Sequence, residues 1–127
     1  MPRLHASLAL VLLTLGAWAC AAAAGAQDGA TSDEAGGGMD AEAHALYDAG
    51  EVAFRDGRFE NALDYFRRAY ELSHRPELLY NIGATCDRLR RDAAALEAFE
   101  GYLAGLPTAA NRGEVERRVE VLRAAIA

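Results

Sequence analysis

The sequence predicts an all-α fold, a short right-handed solenoid of two helix-turn-helix repeats closed by a C-terminal capping helix. Three observations lead there. A set of residues recurs at a fixed offset of 33 between about positions 43 and 109. Apolar residues in the same region return at helical spacing. Pro and Gly fall at the boundaries between these stretches, where chain punctuation is expected.

The repeat is the strongest of the three. Leu46-x-x-Ala49-Gly50 aligns with Leu79-x-x-Ile82-Gly83, and the same offset carries Tyr47 to Tyr80 and Arg55 to Arg88. It also carries Ala62 to Ala95, Leu63 to Leu96 and Phe66 to Phe99. So many matches at one offset mark repeated supersecondary units rather than coincidence. Each unit reads as two helices folded back on each other. Gly inside a helix costs about 1 kcal/mol against Ala, so Gly50 and Gly83 need a packing reason. A small residue lets the second helix approach. Ala62 and Ala95 supply the matching small contact, and Phe66 and Phe99 fill the space one turn later.

The elements follow in order. A first helix is predicted over 40–56 and a second over 59–72, with Gly57 between them as a left-handed C-cap. Ser73-His74-Arg75 is a turn, and Pro76 opens a third helix that runs to about Leu89. The fourth covers 92–104 and is ended by Gly105 and Pro107. A fifth starts near Asn111, with Glu114 three residues on as in a capping box. Its apolar stripe is Val115, Val119, Leu122 and Ile126, and Glu116, Arg117, Glu120 and Arg123 face the other way. Such a helix at the end of a solenoid reads as a cap over about 110–127.

Upstream, the character differs. Arg3 and His5, an apolar run from Leu8 to Leu15 and small residues to Ala26 form the three parts of a secretory signal. The run is shorter than the roughly 20 residues of a membrane-spanning helix. Two processing routes stay open. Cleavage after Ala24-Gly25-Ala26 gives an exported protein starting at Gln27, periplasmic or extracellular. Alternatively Cys20, preceded by Ala17-Trp18-Ala19, is lipidated and the product is a membrane-anchored lipoprotein. Residues 27–40 are Gly-rich, acidic and poor in apolar side chains, the composition of a flexible tether. Residues 41–127 form the folded domain, which holds a single cysteine, Cys86, and therefore no internal disulfide framework.

The two units, at about 43–75 and 76–109, resemble the tetratricopeptide repeat. Leu46, Ala49, Gly50, Gly57, Ala62, Phe66 and Ala69 occupy its steps in the first. Leu79, Ile82, Gly83, Ala95, Phe99 and Pro107 do so in the second. The departures are Ala53 and Cys86 at an aromatic step, His74 at a Pro step, and Arg90 at the step of Gly57. A side chain in a left-handed turn costs roughly 1–2 kcal/mol. The second inter-helix turn is therefore expected to be built differently.

The resemblance implies protein binding, with the first helix of each unit lining a concave groove for a peptide or partner helix. Carried over, the groove is His44, Tyr47, Glu51, Phe54 and Arg55, joined by Glu77, Tyr80, Asn81, Ala84, Asp87 and Arg88. Exposed Tyr and Arg suit binding hot spots, although ordinary packing explains Tyr47 and Tyr80 equally well. The family's clamp for a C-terminal carboxylate is not expected, because the corresponding positions are mainly Tyr, Glu and Asp.

Composition narrows the rest. The formal charge is −6, and every Lys or Arg position is Arg without a basic cluster, so nucleic acid is not an expected partner. His44 and His74 belong to no ligand motif and Cys86 reads as a buried, inert thiol, so no metal or cofactor is expected. No phosphate loop, nucleophile elbow or zinc signature is present, and an enzymatic or solute-binding scaffold is disfavoured. The membrane enters only through a lipid on Cys20. Repeat arrays commonly need three units for a continuous core, so self-association is a further expectation.

Overall fold

A computed structural model describes residues 32–127. The signal segment and Cys20 lie outside the described residues. Five α-helices and the turns between them make up the described chain: α1 Ser32–Arg55, α2 Phe59–Ser73, α3 Glu77–Arg88, α4 Asp92–Gly105 and α5 Arg112–Ile126. Helices adjacent in sequence pack on one another, giving a helical-repeat solenoid. The boundaries of α2 to α5 match the expected ones to within a residue or two. The start of α1 does not. It begins at Ser32 rather than near Asp40, so residues 32–39, expected to belong to an irregular tether, are helical. Among the described side chains the first buried one is Ala43. Around Gly37 and Gly38 there is open space even for an added Cβ.

Within each unit the close approach expected at the helical glycines is present. A Cβ on Gly50 would stand 2.6 Å from Phe66 Cε1, and one on Gly83 would stand 2.8 Å from Phe99 Cδ1. Both Phe rings are buried, as are Ala62 and Ala95. The same helix that carries each glycine also sets a tyrosine against the ring. Tyr47 and Phe66 have ring centroids 6.0 Å apart, and Tyr80 and Phe99 5.9 Å apart, tilted at 50° and 61°. The same Tyr–Gly–Phe trio thus joins α1 to α2 and α3 to α4. Leu46 is buried, whereas its counterpart Leu79 is only half-buried against the core.

The second inter-helix turn corrects an expectation. Gly57 has φ +74°, and Arg90 has φ +57°, so both turns use the left-handed region. Their hydrogen bonds coincide. The amides of Gly57 and Arg58 donate to the carbonyls of Phe54 and Ala53, and those of Arg90 and Arg91 donate to Asp87 and Cys86. This is a Schellman-type closure in both places. His74, at the end of α2, is also left-handed with φ +51°, and its amide donates to the Tyr70 carbonyl.

Helix α5 occupies the register of a third first-helix. Val115, Val119 and Leu122, all buried, stand 33 residues after Ile82, Cys86 and Leu89. The steps of Leu79 and Gly83 are taken here by Arg112 and Glu116, which pair at 2.7 Å. A charged pair replaces the Leu and Gly that would admit a second helix, which is what a polar cap requires. Two expectations for α5 fail. Asn111 precedes the helix but forms no side-chain cap, because its Oδ1 accepts the Tyr102 hydroxyl at 2.7 Å instead. Ile126 is exposed, one turn beyond the last contact of the stripe.

The opposite edge is finished with small residues. Leu78, Ile82 and Thr85 of α3 are buried, but their counterparts Ala45 and Val52 are exposed and Ala49 is half-buried. This face of a first helix points toward the preceding unit, and none covers it on α1 among the described residues. Ion pairs link successive units: Arg91 reaches back to Glu60 at 2.7 Å, and Arg118 reaches back to Asp87.

Candidate functional site

Three adjoining clefts lie along the face formed by α1, α3 and α5. The first, about 500 Å³, lies between the middle of α1 and the N-terminal part of α3. His44, Tyr47, Glu77, Tyr80 and Asn81 line it, together with Asp40, Ala43, Ser73, Arg75, Leu78 and Tyr102. The second, about 210 Å³, is built from Glu51, Phe54, Arg55, Phe66 and Asn81. The third, about 480 Å³, lies between α3 and α5. Tyr80, Phe99, Val115 and Val121 give it apolar surface, and Asp87, Arg88, Glu114, Arg117 and Arg118 give it charge. Asn81 is common to the first two clefts and Tyr80 to the first and third, so the surface is continuous.

Of the eleven residues expected on this face, ten line one of these clefts. Ala84 does not; it is half-buried and packs on the core. The reason for the agreement is helical geometry. Positions three, four and seven apart share a face, and the 33-residue offset repeats that face on each first helix.

Tyr47 and Tyr80 serve packing and exposure together. Each ring leans on the buried Phe of its own unit, and Tyr80 also meets Tyr102 at 5.4 Å. The Tyr47 hydroxyl donates to Glu51 Oε1 at 2.7 Å. That bond, with burial added, holds the Tyr47 phenol above its ordinary range, while Asn81 pulls it the other way. At the other end, the Arg88 guanidinium sits 5.9 Å from the ring centroids of both Phe54 and Phe59. These two rings meet edge to face at 5.2 Å and straddle the first inter-helix turn. Charge is graded along the face: Asp40 and Glu77 lie in the first cleft with Arg75, whereas three Arg line the third with Asp87 and Glu114.

Sequence reasoning missed the contribution of α5 and of Asp40, Arg75 and Tyr102. The signal for α5 was present, since one more step of 33 carries Ile82 to Val115. Arg75 and Asp40 come together at 3.6 Å only because the turn after α2 folds over the start of the domain. No local pattern encodes that.

Cys86 is buried, and burial pushes its thiol above the usual range, which lowers its reactivity. Among the described residues no group of three or more His, Cys, Asp or Glu could hold a metal ion. No helix among them is long and apolar enough to cross a membrane.

In comparison with protein families, residues 43–75 match the tetratricopeptide repeat. This interval coincides with the first unit defined above. A search of curated proteins gives no match to the chain.

Proposed function

The chain is a tetratricopeptide-repeat protein, and from that premise we propose that it is a non-catalytic adaptor, binding a peptide or helix of another protein across α1, α3 and α5. The observation that supports this reading most is the continuous row of clefts, where half-buried Tyr47 and Tyr80 present polar-tipped rings on a rigid scaffold. Such side chains give large contact area at low entropic cost. A Tyr47→Ala/Tyr80→Ala double variant tests it. In quantitative affinity capture from the native host, the full chain should retain a small set of proteins that the double variant loses. Equal capture by both chains would contradict the role of this face.

The same reading places the adaptor outside the cytoplasm. The support is the three-part signal over residues 1–26. The intact mass of the protein recovered from the host tests it. A chain beginning at Gln27 supports a diffusible adaptor, and a chain beginning at a lipidated Cys20 supports a membrane-anchored one acting in envelope assembly. An unprocessed chain starting at Met1 contradicts export.

A further inference from the structure

Resting on the reading of the α1–α3–α5 face as the binding surface, we infer that its third cleft selects an acidic protein segment, one carrying Asp or Glu next to a large apolar side chain. Four observations carry this.

First, the cleft collects positive charge in a chain whose formal charge is −6. Arg88, Arg117 and Arg118 line it against two acids, Asp87 and Glu114, which leaves the arginines in excess. Seven arginines of the described chain form ion pairs, Arg118 with Asp87 among them, but Arg88 and Arg117 form none. Second, Arg88 is oriented before any partner arrives. Its guanidinium lies over two aromatic rings, Phe54 and Phe59, so less rotamer freedom is lost when it meets a carboxylate. Third, Arg118 Nε is buried and has no hydrogen-bond partner. Because protein atoms cover it, a partner meets the outer part of the Arg118 guanidinium, which Asp87 already holds in place. Fourth, the charges surround apolar surface. Val121 is 54% exposed, the largest exposure among the big aliphatic side chains described, and it lies in this cleft beside Val115 and Phe99. An apolar side chain of the partner covers it while neighbouring carboxylates meet the arginines.

The arrangement recognises side-chain carboxylates and requires no chain terminus. The test is therefore made with C-terminally amidated peptides. Random peptides of roughly twelve residues are selected on the immobilised full chain, and the winners are synthesised as amides and titrated by fluorescence anisotropy. The expected result is enrichment of Asp or Glu beside Leu, Ile or Phe. Affinity should fall about tenfold or more in Arg88→Glu and in Arg117→Glu, and by a similar factor when salt rises from about 50 to about 300 mM. Exchanging the selected acids for Lys should restore binding to Arg88→Glu. Circular dichroism checks that each variant is folded, and Arg117, fully on the surface, keeps the test decisive if Arg88→Glu unfolds. Selected peptides with no acidic bias, or unchanged affinity in both variants, would overturn this inference and leave the binding face intact. An oligonucleotide that competes with the selected peptides at equal affinity would overturn it in favour of phosphate recognition. Failure to select any peptide would overturn the reading on which it rests.

Discussion

The first repeat turns between its helices through Gly57 and the second through Arg90, yet both residues stand in the left-handed region with the same pair of hydrogen bonds. Around Gly57 an added Cβ meets nothing within 4 Å. Space is therefore not what selects glycine there; backbone strain alone is. The second turn accepts that strain in Arg90 because the helices on either side are already fixed. Gly83 against Phe99 and Cys86 and Ala95 in the core set the approach of α3 and α4. The repeat is therefore held by its Tyr–Gly–Phe trio, with the turn following.

Breaking the trio should have the largest effect. Phe66→Ala and Phe99→Ala each leave a cavity under a tyrosine and should cost about 3–5 kcal/mol in urea unfolding. Similar costs in both units are the expected outcome, and a small cost in one would show that its helix pair is held by something else. Gly50→Ala and Gly83→Ala come next. Each forces a Cβ against a buried ring, and even with the gain in helix propensity the net cost should be about 1–3 kcal/mol. Combining Gly50→Ala with Phe66→Leu should cost less than the two separate changes added together, which a double-mutant cycle measures directly.

The turns sharpen the comparison. Gly57→Ala should destabilise by about 1 kcal/mol, while Arg90→Gly should be neutral or stabilise by up to about 1 kcal/mol. The thermal midpoint should thus fall for Gly57→Ala and hold or rise for Arg90→Gly. Smallest is the link between the units. Arg91 and Glu60 are both largely exposed, and removing the pair should cost well under about 1 kcal/mol.

Cys86, which the second repeat carries where the first has Ala53, adds a pH dependence at that step. Burial raises its folded pKa above the unfolded one. Its contribution to stability is full below the unfolded value of about 8.5 and is lost as pH rises through the higher folded value. Unfolding midpoints should fall more steeply in alkali for the native chain than for Cys86→Ala.

Much of this was legible in the sequence because the repeat states its own register. The offset of 33 locates Gly50, Gly83, Phe66 and Phe99, and the resemblance to the tetratricopeptide repeat names ten residues that line the clefts. Three features were not legible, each for a physical reason. Arg90 was read from its intrinsic aversion to positive φ, and tertiary packing overrode it. The composition of the Gly-rich stretch before Asp40 is that of a flexible tether, but a helix already nucleated by packing extends back through it to Ser32. Asn111 fits a cap in sequence, yet Tyr102 claims its side chain from nine residues away.

If the proposal holds, a protein partner lies on the α1–α3–α5 face. Site-specific photo-crosslinking in the native host tests it most directly. A photoreactive residue is placed at Tyr80 on that face, or at Tyr65 on the outer helix α2. A discrete adduct of higher mass is expected from position 80 and none from position 65. The same adduct from both positions, or from position 65 alone, would contradict the proposal.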